Sequence, residues 1–378
     1  MLEELKTFRF QHSEMSAEDA AFASALQRIS EGHDDEAAER LKTLYTHTVN
    51  PRFRSSCAQL LFALFSAKND WKQIEMLNLF EEPSIERSSR IIGKTISQHQ
   101  QAVYAYSENS SDHPMTLSLS GCPMMEATVN GRKACLWLDT GAEMTVLSHS
   151  LARDCGVSLL PNSALEVENS SNKALNTDFA FIDSIELGSF TVHNQPSLVL
   201  SDDLLVIQNP KTNEVITIDG IIGWDIIQHL YLEIDYREKR VMISKPETMD
   251  TSENNLFFCG SPIVKVKGEN DVPLYFGLDT GANKSHFSQP LLSKMANLFI
   301  EKRTVHAGGL NDVKEIEVEC IVSLDVYLND QLITLHNVRK VLADFGAFFT
   351  LDGILGSDIG HDARLIIDYK NRRLELVN

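Results

Sequence analysis

The sequence predicts an α-helical N-terminal domain followed by an all-β region built from two copies of one lobe. Residues 16–105 are poor in Gly and rich in helix-forming residues, with apolar positions three and four apart. The rest of the chain is divided into short β-rich runs by Gly, Asn and Asp, and its two halves match each other. The predicted boundaries are a helical domain at 1–106, a linker at 107–114, a first lobe at 115–247, a second linker at 248–255 and a second lobe at 256–378.

The helical segment contains two similar units. Asp34 and Asp70 are both predicted as helix N-caps, and at the same offset Leu41 matches Leu77. An offset close to the roughly 34-residue tetratricopeptide period indicates two helix-turn-helix units, although any helical bundle could give the same matches. Such units would present a protein partner or stabilise the first lobe.

Composition excludes several classes of protein. The chain has 378 residues, 43% of them hydrophobic, and a net charge of -19, so a nucleic-acid partner is not expected. The first residues lack the pattern of a secretory signal, and no apolar run is long enough to span a membrane. The six Cys have no paired spacing and are expected to be reduced and buried in a cytoplasmic protein. No metal or nucleotide motif is present, so no cofactor is predicted.

The β region is an internal duplication. The segment beginning at Leu117 aligns with the segment beginning at Leu256, and both reach the tetrapeptide Asp-Thr-Gly-Ala. The segment beginning at Ile218 aligns without a gap with that beginning at Leu351, and both contain Asp-Gly-Ile, Gly-x-Asp and Ile-Asp-Tyr. Two motifs in the same order indicate one repeated lobe.

The repeated motif places Asp139 and Asp279 directly after apolar strands and before a Gly that allows close backbone approach. One carboxylate alone is a poor catalyst of amide hydrolysis. Two that face each other across a pseudo-twofold axis can hold a water, one taking its proton while the other polarises the substrate carbonyl. A duplicated chain supplies this pair within one molecule.

These motifs resemble those of the retropepsin and pepsin clan of aspartic peptidases. In each copy the Asp-Thr-Gly-Ala is followed by an apolar-apolar-Gly sequence, which ends at Gly223 in the first copy and at Gly356 in the second. The resemblance spans roughly residues 115–378 and implies a two-lobed all-β aspartic-peptidase fold. It also implies an aspartic endopeptidase of tandem, single-chain form, whose substrate is an extended polypeptide.

The resemblance assigns roles to individual residues. Asp139 and Asp279 would form the catalytic pair, Thr140 and Thr280 would bond across the interface, and Gly141 and Gly281 would allow close approach. The strands beneath the two turns would contain Ile222-Gly223 and Leu355-Gly356. Ala142 and Ala282 stand where the pepsin branch usually has a hydroxyl donor, which implies a higher pKa for the pair and activity near neutral pH.

Two flaps are expected about thirty residues beyond each Asp. The first would be formed by 166–175 and the second by 304–313, and the second contains two glycines. The tip residues that would contact substrate are Asn169, Ser170, Ser171, Asn172, Ala307, Gly308, Gly309 and Leu310.

The sequence allows more than one interpretation of some residues near the motifs, of the function and of the assembly of the site. Asp225 and Asp358, in the Gly-x-Asp repeats, are expected to bond the backbone rather than to act in chemistry. Lys284 and His286 stand where the first copy has Met144 and Val146, and Lys284 would either lower the pKa of the aspartate pair or face solvent. The chain could also be a non-catalytic peptide-binding adaptor, and its site could be formed by a monomer or between the chains of a homodimer.

Overall fold

The structure is a computed structural model of the chain. It describes residues 16–118, 121–160, 165–168, 174–208, 215–249, 254–307, 314–341 and 348–377. These residues form two compact units, one containing 16–101, 256–263 and 348–350 and the other containing the remaining described residues.

The first unit is mainly helical. The helix Pro51–Ala67 lies among its neighbours with apolar side chains buried on several sides, and it contacts the helices before and after it. A strand at Leu256–Phe258 contacts the first helix, and the rings of Phe257 and Phe349 lie 5.0 Å apart. The helices are α1 (Ala17–Ser30), α2 (Asp34–His47), α3 (Pro51–Ala67), α4 (Trp71–Met76) and α5 (Arg87–Ser97), with a 3-10 turn at Leu79–Glu81.

The helix starts follow local capping chemistry. Ser16 caps α1 by accepting a bond from the Asp19 N–H, and the Asp19 carboxylate accepts the Ser16 N–H in return. Asp70 caps α4 by accepting from the N–H of Gln73, as predicted. The N-cap prediction for Asp34 is wrong, because Asp34 is the first residue of α2 itself. Its carboxylate lies in the first turn, where the helix dipole favours negative charge.

The two similar helical units differ in their second helices. α2 has 14 residues, whereas α4 has 6. α4 is short because Asn78, which follows its end at Met76, adopts a left-handed backbone with φ of 57°. The tetratricopeptide interpretation therefore stays a prediction. Within the described part of the chain, no helix combines the length and the apolar character needed to cross a membrane.

The second unit is mainly β. In its first half the strands are β1 (Val103–Tyr106), β2 (Ser110–Leu117), β3 (Pro123–Val129), β4 (Arg132–Leu138), β5 (Val146–Ser148), β6 (Leu165–Glu168), β7 (Ala174–Leu187), β8 (Phe190–Leu200), β9 (Val206–Gln208), β10 (Val215–Thr217), β11 (Gly220–Ile222), β12 (Tyr231–Asp235) and β13 (Arg240–Ser244). After β14, the Leu256–Phe258 strand of the first unit, come β15 (Pro262–Lys267), β16 (Pro273–Leu278), β17 (His286–Phe287), β18 (Ile300–Ala307), β19 (Lys314–Leu328), β20 (Gln331–Lys340), β21 (Gly353–Leu355), β22 (Arg364–Asp368) and β23 (Arg373–Val377). Short helices α6 (His149–Asp154), α7 (Trp224–Ile227) and α8 (Gln289–Lys294) complete it, with 3-10 turns at Asp202–Leu204, Glu269–Asp271, Ser357–Gly360 and Tyr369–Asn371.

The two halves of this unit have the same strand plan around each Asp-Thr-Gly-Ala motif. In the first half β11 lies between β4, to which it is parallel, and β5, to which it is antiparallel. In the second half β21 lies between β16 and β17 with the same directions. The repeated sequence is thus a repeated local structure.

One sheet combines strands from both halves. β12 pairs in antiparallel register with β22 from Tyr231–Asp368 to Asp235–Arg364, and β13 and β23 flank this pair. The sheet continues through β2 and β3 to β4, the strand that carries the first motif. Arg364 and Glu233 form an ion pair of 3.0 Å across the β12–β22 pairing, with the Glu233 side chain 7% exposed. The two halves are therefore tied together within one chain.

Three predicted boundaries need correction. The 107–114 segment is not simply a linker, because β2 begins at Ser110 and pairs with β13. Its polar composition reflects a strand whose side chains are mostly exposed or half-buried. β1, placed by prediction in the helical domain, pairs with β8 of the second unit, and residues 256–263 group with the helices instead of with the second lobe.

Candidate active site

Each aspartate of the repeated motif follows the end of a strand directly. Asp139 comes after β4, and its N–H donates to the carbonyl of Ile222 at 3.0 Å. Asp279 comes after β16, and its N–H donates to the carbonyl of Leu355 at 3.0 Å. Ile222 and Leu355 end the strands β11 and β21 and so lie beside the two aspartate turns.

Thr140 and Thr280 connect the two turns with four hydrogen bonds. Each threonine N–H donates to the hydroxyl oxygen of the other at 3.0 Å. The Thr140 hydroxyl donates to the Leu278 carbonyl at 2.9 Å, and the Thr280 hydroxyl donates to the Leu138 carbonyl at 2.7 Å. Both side chains are buried, so these bonds are shielded from water.

This connection places each carboxyl group against the glycine of the opposite turn. The Gly141 N–H donates to Oδ1 of Asp139 at 2.8 Å, and the Ala282 N–H donates to Oδ1 of Asp279 at 3.0 Å. A methyl group on Gly281 would lie 2.5 Å from Oδ2 of Asp139, so only glycine fits there without movement. Gly141 lies against Asp279 in the same way.

The environment favours the protonated form of this pair. Burial raises the pKa of Asp139, and it raises the pKa of Asp279 further with the help of the Asp139 charge. Backbone N–H donors, among them that of Gly141, act in the opposite direction on Asp139. The pair therefore keeps a proton at a higher pH than a free aspartate would.

The remaining predicted support residues lie where the turns fold back on the sheet. A methyl group on Gly223 would lie 2.6 Å from the Met144 backbone, and one on Gly356 would lie 2.7 Å from the Lys284 backbone. The carbonyls of Ala142 and Ala282 accept hydrogen bonds of 2.7 and 2.8 Å from the residues that follow these glycines. Close backbone packing therefore fixes both turns.

The structure adds three polar residues that sequence reasoning did not single out. Thr145 and Ser285 are fully buried, and each bonds to the aspartate of a Gly-x-Asp motif through its N–H and its hydroxyl. Their equal offset from the two Asp-Thr-Gly-Ala motifs was the available signal. Gln195, buried on β8, donates to Asp225 at 2.8 Å and had no local signal at all.

Asp225 and Asp358 bond backbone N–H groups, as expected from the sequence. The Lys284 ammonium lies 3.6 Å from Oδ2 of Asp358, so its nearest described carboxylate belongs to a support residue and not to the aspartate pair. Burial lowers the pKa of His286 to about 4, which leaves this ring neutral at physiological pH.

A β-hairpin base occurs at each predicted flap position. β6 pairs with β7 from Leu165–Thr177 to Glu168–Ala174, and β18 pairs with β19 out to Ala307–Lys314. Ala307 is the last residue of β18. The other predicted tip residues, Asn169, Ser170, Ser171, Asn172, Gly308, Gly309 and Leu310, lie outside the described residues.

Five of the six cysteines are buried, as predicted, but Cys135 is exposed. It lies on β4 with its side chain facing away from the core, because the strand alternates between buried and exposed faces. Cys122 is fully buried, with Sγ 3.8 Å from the Leu138 carbonyl. Burial raises its pKa, and the charges of Asp139 and Asp279 raise it further.

No group of three metal-ligating side chains occurs among the described residues.

Residues 125–226 match a family model described as aspartyl protease. This segment contains the first Asp-Thr-Gly-Ala motif and the first Gly-x-Asp motif, and it is similar to aspartyl proteases. No curated protein matches the chain.

Proposed function

We propose that the chain is an aspartic endopeptidase in which Asp139 and Asp279 together activate a water for attack on a peptide bond. One observation carries the proposal: each aspartate carboxyl lies against the glycine of the opposite turn, and Thr140 and Thr280 lock the two turns together. The aspartyl-protease match over residues 125–226 supports the same chemistry for the first copy.

The division of labour follows from electrostatics. Two carboxylates about 3 Å apart would repel by about 5 kcal/mol at an effective dielectric near 20, so one of them keeps a proton. The ionised carboxyl takes a proton from the water while the water oxygen attacks the carbonyl carbon of the substrate. The protonated carboxyl donates a hydrogen bond to the carbonyl oxygen. Collapse of the tetrahedral intermediate breaks the C–N bond, and the amine leaves with a proton from the pair.

The substrate is proposed to be a polypeptide in extended form. Hairpin bases lie at the position predicted for each flap, and a strand bound between hairpins and aspartates would be held mainly by its backbone. Because Ala142 and Ala282 carry no hydroxyl that could stabilise an ionised carboxyl, activity is proposed to extend to near-neutral pH.

The decisive test compares purified wild type with Asp139→Asn and Asp279→Asn on a denatured protein and a peptide library, from about pH 4 to about pH 8. Each substitution keeps the shape of the side chain but removes an ionisable carboxyl, so kcat should fall by at least about 10³-fold. Asp183→Asn, at an exposed position of β7, is the matched control and should cleave like wild type.

Other outcomes would contradict the proposal. If wild type and Asp139→Asn bound an extended peptide equally and neither cleaved it, the chain would be a peptide-binding adaptor. If both cleaved at the same rate, the activity would come from a contaminant or from another site.

A further inference from the structure

Each catalytic turn ends in a hydroxyl residue that is held by a buried carboxyl. In the first copy, Thr145 donates its N–H to Oδ2 of Asp225 at 2.9 Å and its hydroxyl to Oδ1 at 2.8 Å. In the second copy, Ser285 donates its N–H and its hydroxyl to Oδ1 of Asp358, at 2.9 and 2.7 Å. The hydroxyl group is common to both copies although the residue type differs.

These contacts close a ring around each aspartate. In the first copy the Thr145 hydroxyl accepts the N–H of Gly223 at 3.4 Å, and the preceding residue, Ile222, accepts the N–H of Asp139. In the second copy the Ser285 hydroxyl accepts the N–H of Gly356 at 3.1 Å. The two ends of each catalytic turn are thus bonded to one short segment, which leaves the turn little freedom to move.

The two rings differ in the additional groups that contact the carboxylate of Asp225 or of Asp358. Oδ2 of Asp225 also accepts from Nε2 of the buried Gln195 at 2.8 Å, and Oδ1 accepts the N–H of Ile226 at 3.0 Å. Oδ2 of Asp358 instead faces the Lys284 ammonium at 3.6 Å. The first ring relies on neutral, fully buried donors, whereas the second uses a partly exposed cation.

We propose that Asp225, supported by Gln195, is a positioning residue that fixes the direction of the Asp139 carboxyl, and that the first turn depends on this carboxylate more than the second depends on Asp358. This inference rests on the proposed peptidase function and adds to it the residues that hold its aspartates in place.

The asymmetry follows from the donors. Each oxygen of Asp225 accepts from a backbone N–H that cannot become an acceptor, Oδ2 from that of Thr145 and Oδ1 from that of Ile226. An asparagine here would place its NH₂ group against at least one of these N–H groups. At Asp358 one oxygen accepts both Ser285 bonds, so an asparagine oxygen could replace it once the lysine charge is removed.

The experiment measures kcat and KM on a peptide that the wild type cleaves. Asp225→Asn should lower kcat by about tenfold or more with KM within about twofold, because a small misplacement of a catalytic group slows the reaction step more than it weakens binding. Asp358→Asn combined with Lys284→Met, the residue of the first copy, should lower kcat by less than about threefold. Asp202→Asn is the matched control, since Asp202 accepts the N–H and hydroxyl of Ser150 in the same manner away from both turns.

A second pair of variants separates positioning from folding. Thr145→Val keeps the shape but removes the hydroxyl, and it should lower kcat about as much as Asp225→Asn. Thr145→Ser restores the hydroxyl in the form that the second copy uses and should recover most of the loss. This pair decides the question if Asp225→Asn does not fold.

Three results would overturn the assignment: wild-type kcat in folded Asp225→Asn, a loss in kcat that only follows the folded fraction, or equal losses in Thr145→Ser and Thr145→Val. A wild type that cleaves no peptide would instead contradict the proposed function, and this assignment with it.

Discussion

Gly141 and Gly281 lie where any side chain would collide with the opposite aspartate. A methyl group at 281 would lie 2.5 Å from the Asp139 carboxylate, while one at Gly277, two residues before Asp279, would meet nothing closer than 3.6 Å. Gly281→Ala should therefore lower kcat by about 10²-fold, because the carboxyls would have to separate. Gly277→Ala should keep activity and stabilise the strand by about 0.5–1 kcal/mol. Steady-state kinetics and thermal melts test both, and equal effects of the two substitutions would contradict the close contact.

The aspartate pair also predicts how stability depends on pH. Burial raises the pKa of Asp279 and Asp139 above that of an unfolded chain. Between those values the folded protein holds a proton that the unfolded chain has released, so the free energy of unfolding falls as the pH rises through this window. Asp279→Asn removes the contribution of Asp279 to this loss of stability. The melting temperature of Asp279→Asn minus that of wild type should therefore be larger at neutral pH than near about pH 4. Melts of wild type, Asp279→Asn and the control Asp183→Asn across this range check it, and three parallel curves would refute it.

At the scale of residues, local motifs were readable and distant partners were not. Asp139 and Asp279 were predictable because the duplication repeats an unusual tetrapeptide next to apolar strands. Gln195 was not, because it reaches Asp225 only after β8 has folded against the sheet, and nothing in its neighbourhood distinguishes it from another strand glutamine.

Among the elements, α5 depends on the absence of a side chain at Gly93. A methyl group there would lie 2.8 Å from the Phe80 ring and 3.1 Å from the Trp71 ring. Gly93→Val should destabilise the helical unit by about 1–3 kcal/mol through overpacking. Chemical denaturation followed by circular dichroism measures this. Thr95→Val, a β-branched change at a half-buried position of the same helix, should shift stability by only about 0.5 kcal/mol, and an equal shift in both would contradict the packing argument.

Prediction misplaced those elements whose amino-acid composition is unusual for their secondary structure or whose neighbours are distant in sequence. β2 begins with Ser110 and contains Asp112 and His113, so its sequence resembles a linker. Residues 110–114 nevertheless pair with β13, and Asp112 forms an exposed ion pair with Arg240. The grouping of Leu256–Phe258 with the helices rests on contacts far apart in sequence. Hydrophobic pattern identifies a strand of this kind but not its neighbour.

For the molecule as a whole, the duplication explains why one chain can supply both aspartates. β12 of the first half pairs with β22 of the second. Thr140, which follows β4 of that sheet, bonds to Thr280, which follows β16 of the eight-stranded sheet. Copies joined in this way can diverge independently, as the Lys284 and Gln195 arrangements have done. The sequence identified the two copies, but it could not indicate whether they pair within one chain or between two.

That question has a direct test. In the structure both halves pair within one chain. A variant chain that keeps only one of the two aspartates should therefore be inactive, even beside a chain that keeps the other. Asp139→Asn and Asp279→Asn, mixed or co-expressed, should show no more activity than either alone, whereas a site assembled between chains would recover activity because some pairings would unite two intact aspartates. Co-expression is essential, since strands β12 and β22 would exchange between chains only during folding. Activity regained in the co-expressed sample, together with a dimeric mass, would show that the halves pair in trans.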